Sequence, residues 1–234
     1  MSTERLRALV IQHEEPTPPG LVGEWLQRRG ADLQVLRIDL DEPTPEAREY
    51  GLIVSLGSEF AAFDDSIPFV QREARLLQNA TDAEVPVLGL CFGGQLMARV
   101  LGGQSFRAER SEIGWLPVRT KDPALVPEGP WFQWHLDSFT PPPGATLIAD
   151  SDVGPQAYVI GRNLGVQFHP EVTTEIMDAW VRAYPHELEA EGVDPAGLLQ
   201  ETRQRVAVSR RNAEQLFDRY LDQVANAGAR VGQR

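Results

Sequence analysis

Val85-Pro-Val-Leu-Gly-Leu-Cys91-Phe-Gly-Gly-Gln95 passes from a wholly apolar segment, through a glycine-flanked cysteine, into a helix-forming segment. Residues 85–90 are an unbroken apolar run of strand length, the pattern of a strand buried on both faces. Residues 95–101 carry helical spacing and stop at Gly102-Gly103. Cys91, with Gly89 and Gly93 on either side, therefore lies on a strand-to-helix elbow of the G-x-nucleophile-x-G type. The two glycines let strand and helix approach, and the turn is expected to force Cys91 into a strained, exposed conformation. Its sulfur then meets a helix N-terminus, where the helix dipole favours thiolate over thiol. A cysteine that merely filled a core would need no glycine two residues to either side.

On the N-terminal side, residues 6–12, 33–38 and 50–55 read as three more strands, with helices over 21–29 and 68–80. Strand–helix alternation with continuous apolar strands predicts an α/β fold, a mostly parallel sheet covered by helices on both faces. Between 104 and 166 the texture changes. Short alternating stretches (115–120, 131–134, 145–149, 157–160, 164–168) read as a strand-rich layer that extends the sheet and adds a smaller one. A Thr-capped helix is expected over 173–183, followed from Pro185 by a helical tail carrying both charge signs. In the tail, Ala213, Leu216, Phe217, Tyr220, Leu221 and Val224 form one apolar stripe, expected to pack on the parent domain. No repeat, linker or boundary interrupts the pattern. Residues 1–234 are read as a single domain with a C-terminal helical extension over 185–234.

Composition removes several function classes. Asp and Glu number 34 against 22 Lys and Arg, a net charge of −12 that disfavours nucleic acid and anionic membranes as partners. One cysteine cannot form an intrachain disulfide, and the apolar run at Leu9–Ile11 is too short for a signal-peptide core. No stretch approaches a membrane span, so the cytoplasm is the expected compartment. Lys121, the only lysine, precedes Asp122, which excludes a GK[ST] phosphate loop. One Cys, four His and no HExxH argue against a metal site. What remains is cysteine, histidine and carboxylate chemistry.

A thiolate needs a base, and four histidines are candidates. His13 ends the first strand, where a structural or substrate-shaping role is expected; His186 lies in the acidic tail and is expected to be solvated. His135 occurs in Trp134-His-Leu-Asp137 and His169 in Gln167-Phe-His-Pro-Glu171. Residues two apart in extended chain point to one side, so Glu171 can reach the His169 imidazole and fix its tautomer.

The elbow together with Gln167-Phe-His-Pro-Glu171 resembles the class I (triad) glutamine amidotransferase family, over about residues 50–172. The resemblance implies a Rossmann-like sandwich in which Cys91, His169 and Glu171 form a triad that hydrolyses the glutamine side-chain amide through a γ-glutamyl thioester. It implies an oxyanion hole built from the backbone N–H groups of Phe92 and Gly57. At the latter, Leu56-Gly57-Ser58 has one glycine where the family has a pair. Trp134-His-Leu-Asp137 is similar to the His-Gly-Asp stretch of GMP synthetase amidotransferase domains, and closer to free-standing relatives of that domain. By that likeness Asp137 and His135 contact the substrate, Asp137 near its α-amino group, with a turn cap as the alternative for Asp137; Gln95 faces the substrate. No cofactor is implied. The partners implied are glutamine or a γ-glutamyl small molecule, and a synthetase that accepts the ammonia. Two alternatives remain: a γ-glutamyl peptidase or hydrolase using the same triad, and a non-catalytic binding or redox-sensing module.

Overall fold

The apolar runs of the N-terminal half form strands within two residues of their expected limits. The structure, a computed structural model, describes residues 5–226; residues 1–4 and the last part of the expected tail, 227–234, lie outside the described residues. Strands β1 (Arg7–Gln12), β2 (Asp32–Arg37), β3 (Leu52–Ser55) and β4 (Val87–Leu90) alternate with helices α1 (Gly20–Arg28), α2 (Pro68–Asp82) and α3 (Phe92–Val100). Six further strands follow: β5 (Gln104–Leu116), β6 (Arg119–Thr120), β7 (Trp131–Thr140), β8 (Thr146–Asp150), β9 (Pro155–Ile160) and β10 (Asn163–Val166). The described residues close with α4 (Thr174–Ala183), α5 (Pro185–Ala190) and α6 (Pro195–Arg219), the last continued by a π-helical turn over Tyr220–Ala225.

Eight strands form one sheet in the order β2-β1-β3-β4-β10-β9-β8-β6. Pairing is parallel from β2 to β10 and antiparallel from β10 to β6. Side chains alternate between its two faces, as the pleat requires. Ala8, Val10, Val54 and Leu88 meet α1 and α6, whereas Leu9, Ile11, Ile53 and Val87 meet α2 and α3. The tail stripe belongs to the first of these cores: Ala213, Leu216, Phe217 and Tyr220 are fully buried.

Strands β5 and β7 pair into a separate antiparallel ribbon, whose register shifts between Arg107 and Glu112. Trp115, Phe132 and Trp134 of the ribbon pack with Ile176, Met177 and Trp180 of α4, Leu188 of α5 and Leu198 of α6. This topology gathers the site. The segments that follow β1, β3, β4 and β10 leave neighbouring parallel strands at their carboxyl ends, where sites in such sheets form.

Three local expectations are corrected. The stretch read as one strand over 115–120 is split at Pro117 between β5 and β6, and β5 begins eleven residues earlier, at Gln104. Its polar run Arg107-Ala-Glu-Arg-Ser111 hides the strand, because the ribbon leaves that part, beside its bulge, largely exposed. Strand β7 runs on to Thr140, which puts Asp137 in mid-strand and not at a turn. Helix α3 starts directly after Cys91 and not at Gln95.

Candidate active site

Cys91 adopts φ 49°, ψ −108°, a left-handed conformation that costs a non-glycine residue energy and holds its side chain off both adjoining elements. Its N–H donates to the Val166 carbonyl at 2.9 Å, which ties the elbow to β10. A Cβ on Gly89 would stand 2.6 Å from the Gly93 carbonyl carbon, so the turn closes only with glycine there. The expected exposure is not found: Cys91 is 5% accessible, because β7 passes over the elbow. The thiol lies 3.9 Å from the Trp134 carbonyl, and the Gln167 amide nitrogen donates to the sulfur at 3.6 Å.

His169 and Glu171 stand as their spacing predicts. The His169 N–H donates to the Phe132 carbonyl at 2.8 Å, and the Nδ1–H donates to Glu171 Oε1 at 2.8 Å. Nε2 lies 3.3 Å from the Trp134 carbonyl, which can only accept, and the ring is also within hydrogen-bonding reach of Cys91. Burial acts to lower the His169 pKa. The charges of Glu171 and Cys91, with hydrogen bonds to both, outweigh it and carry the pKa well above the ordinary value. The geometry therefore favours an imidazolium that donates from both nitrogens. Trp180 covers the ring edge-on at 4.8 Å.

Two backbone donors flank this pair. Phe92 opens α3, where the first N–H groups have no intrahelical acceptor. Gly57 lies against the imidazole: a Cβ placed there would stand 2.8 Å from His169 Cε1 and 3.7 Å from Cys91 Cβ. Among the described residues, neither N–H has a protein acceptor. Both residues thus adjoin Cys91.

The three expected substrate contacts line the same cavity as Cys91 and His169, where the Gln95 amide nitrogen and both His135 ring nitrogens are engaged within the protein. Gln95 donates from Nε2 to the Asp137 carbonyl at 3.1 Å and to Gln167 Oε1 at 3.2 Å. His135 meets the Asp137 carbonyl through Nδ1 at 2.9 Å and Glu112 through Nε2 at 3.1 Å. Asp137 keeps a carboxylate on the cavity, paired with Arg107 at 3.1 Å; burial raises its pKa and Arg107 partly offsets the rise.

Several contributors carried no local signal. Trp134 and Trp180 roof the site, Tyr184 and Glu187 wall it from the α4–α5 junction, and Glu14 joins that wall from the segment after β1. Glu14 accepts from the Glu59 N–H at 3.0 Å and the Ser58 hydroxyl at 3.1 Å. Gln167 could have been singled out, since its position two residues before His169 puts it on the same side of the strand. His186 is exposed, as expected. Among the described residues no group of three or more His, Cys, Asp or Glu is placed to hold a metal ion, and no helix is long and apolar enough to cross a membrane.

Comparison with known proteins adds an independent line. Residues 22–182 match the family model described as glutamine amidotransferase class-I. The chain is 37% identical over 160 residues to the GMP synthase (glutamine-hydrolyzing) of Thermus thermophilus, a match covering 63% of this chain and 30% of that protein. It is 31% identical over 151 residues to a glutamine-hydrolyzing GMP synthase subunit of Sulfolobus acidocaldarius, covering 60% of this chain and 77% of the relative. Among solved structures, the glutamine amido transferase of Methylobacillus flagellatus superposes with a TM-score of 0.86 at 30% identity, over 94% of this chain and 96% of that one.

Proposed function

The chain belongs to the class-I glutamine amidotransferase family, and we propose that it hydrolyses a γ-glutamyl amide, glutamine in the first instance, through a thioester on Cys91. The observation that carries this is the meeting of Cys91 on its strained elbow, His169 with Glu171 behind it, and Gly57 at one cavity. In the first half-reaction the Cys91 thiolate attacks the amide carbon. The carbonyl oxygen becomes an oxyanion held by the N–H groups of Phe92 and Gly57. The C–N bond then breaks, and the departing nitrogen takes the proton of the His169 imidazolium, giving ammonia and a γ-glutamyl thioester. In the second, neutral His169 removes a proton from water, the hydroxide adds to the thioester, and the C–S bond breaks to give glutamate. Glu171 holds the Nδ1–H tautomer throughout. Asp137 takes the α-ammonium group, with Gln95 and His135 shaping the pocket behind it.

A second reading has its own observation. Beyond Cys91 and His169 the cavity wall continues over Trp180, Tyr184 and Glu187, surface that an ammonia leaving group would not need. A γ-glutamyl amide of a larger amine fits the same chemistry. A synthetase is the partner if ammonia is passed on, by analogy with the Sulfolobus relative. The deciding experiment follows glutamate release by the purified chain from glutamine and from a panel of γ-glutamyl amides, with Cys91→Ala as control. Release that Cys91→Ala abolishes supports the mechanism, and the preferred amide separates the two readings. Undiminished release by Cys91→Ala refutes it.

A further inference from the structure

A second buried His–Glu pair lies behind the site, and the reaction as written gives it no role. His13 and Glu73 are both fully buried, with His13 Nε2 at 2.6 Å from Glu73 Oε2. Glu73 Oε1 accepts from the Ser55 hydroxyl at 2.5 Å, and His13 Nδ1 donates to the Gly57 carbonyl at 3.0 Å. That carbonyl can only accept, so Nδ1 carries a proton, and Glu73 joins Ser55 and His13 by accepting on its two oxygens. Burial acts to lower the His13 pKa, but the Glu73 charge and hydrogen bond, with Glu14, raise it above the ordinary value.

What the pair holds is the loop that carries one oxyanion donor. The Leu56 carbonyl accepts from the Gly93 N–H at 3.1 Å, and the Leu56 N–H donates to the Ile11 carbonyl at 3.2 Å. A trans peptide directs its N–H opposite its carbonyl, so anchoring the Leu56 carbonyl fixes the line of the Gly57 N–H. The Gly57 carbonyl would otherwise be the free end of this segment, and His13 closes it. The same imidazole packs edge-on against the Phe92 ring at 4.6 Å, so both donor-bearing residues bear on one side chain.

We propose that Ser55, Glu73 and His13 form a buried strut that holds Gly57 in place as an oxyanion donor, making His13 a positioning residue for the reaction. The proposal rests on the amide-hydrolysing function above. A buried charge is tolerated only when paired, so removing one member alone threatens the fold. The informative variants change both or preserve the bonds. His13→Leu with Glu73→Met leaves no orphaned charge. Glu73→Gln keeps an acceptor for Ser55 and a donor for neutral His13.

The assays are steady-state glutamate release, alkylation of Cys91 by iodoacetamide, and binding of a γ-aldehyde analogue of glutamine. Alkylation is a displacement at saturated carbon that needs no oxyanion hole. The aldehyde adds the thiol across its carbonyl, and the resulting oxygen occupies that hole. The double variant, checked for folding by its melt, should lose about 10–100-fold in kcat with KM within about twofold. Its aldehyde affinity should fall in parallel while alkylation keeps the wild-type rate, and Glu73→Gln should stay within about threefold of wild-type kcat. An unchanged kcat in the folded double variant overturns the proposal. So does alkylation that falls with kcat, or a Glu73→Gln loss as deep as the double variant's. A wild-type chain that neither turns over any γ-glutamyl amide nor binds the aldehyde defeats the functional reading instead.

Discussion

Gly57→Ala puts one methyl group where the imidazole stands. Its Cβ would lie 2.8 Å from His169 Cε1 and 3.4 Å from Nδ1. The shorter distance is about 0.6 Å inside ordinary carbon–carbon contact, so something has to move. The ring has little freedom: Glu171 holds Nδ1, the backbone N–H is tied to Phe132, and Trp180 closes the edge. The loop is no freer, because His13 and Gly93 pin it on both sides. The overlap is therefore shared, at a cost of about 1–3 kcal/mol of folding stability and a melting-temperature fall of about 3–10 °C. A displacement of several tenths of an ångström between imidazole and sulfur should lower kcat by about 10–100-fold. Glutamate release, the thermal melt and iodoacetamide alkylation measure these separately. Alkylation should slow as well, because the variant disturbs the base and not only the oxyanion donor. Activity within about twofold of wild type, with an unchanged melt, would falsify the placement of Gly57 against His169.

His169→Ala should cost about 10²–10⁴ in kcat/KM and Glu171→Ala less, and combining either with Cys91→Ala should be little worse than Cys91→Ala alone, since the three act as one unit; a strictly multiplicative loss in steady-state assays refutes the unit. The His169 pKa is raised in the folded state, so its stabilising interaction is complete below the ordinary value of 6.5 and is lost as pH rises through the folded value. The melting-temperature gap between wild type and Glu171→Gln should accordingly be wide near pH 6.5 and narrow towards alkaline pH; a gap that widens with pH reverses the argument. Asp137→Asn should raise KM by up to about tenfold with kcat nearly unchanged, because it touches the non-reacting end of the substrate. A kcat collapse at constant KM would assign it to the scaffold. Ending the chain at Pro185 removes Leu216, Phe217, Tyr220 and Val224 from the core, at about 1.5–3 kcal/mol each. That sum rivals the whole stability of a typical domain, so the truncation should not be recovered as a folded protein; a soluble fragment with a cooperative melt contradicts this.

The fold was legible where burial dictates residue type. Residues 85–90 and 8–11 are apolar throughout because both faces of β4 and β1 are covered. The tail stripe was legible for the same reason, its periodicity matching a helix that fills the core beside α1. The first part of strand β5 was not, because its solvated stretch places no apolar demand on Arg107 to Ser111. The extent of β7 was lost with it, since neither strand of the ribbon exists without its partner's hydrogen bonds.

In the site, the division falls between contacts local in sequence and contacts made by folding. Cys91 between its glycines, and His169 two residues from Glu171, announce their geometry because the backbone alone sets it. The resemblance implies that Gln95, one turn beyond Cys91, faces the substrate, but its hydrogen-bond partners have no local signal. Folding gives its amide to Gln167, 72 residues away, and to the Asp137 carbonyl, 42 residues away. His13 shows the point most sharply. Its strand-end position supported no more than a structural or substrate-shaping role, and its partner Glu73 sits 60 residues on, in a helix whose amphipathic pattern predicts an apolar residue at a buried position. A fully buried glutamate in such a helix departs from the pattern, and departures of this kind are retained where a paired charge does something an apolar side chain cannot. The acceptor at the far end of the pair is the carbonyl of Gly57, the residue whose single glycine departs from the family's pair. That departure and the buried pair therefore meet at one peptide.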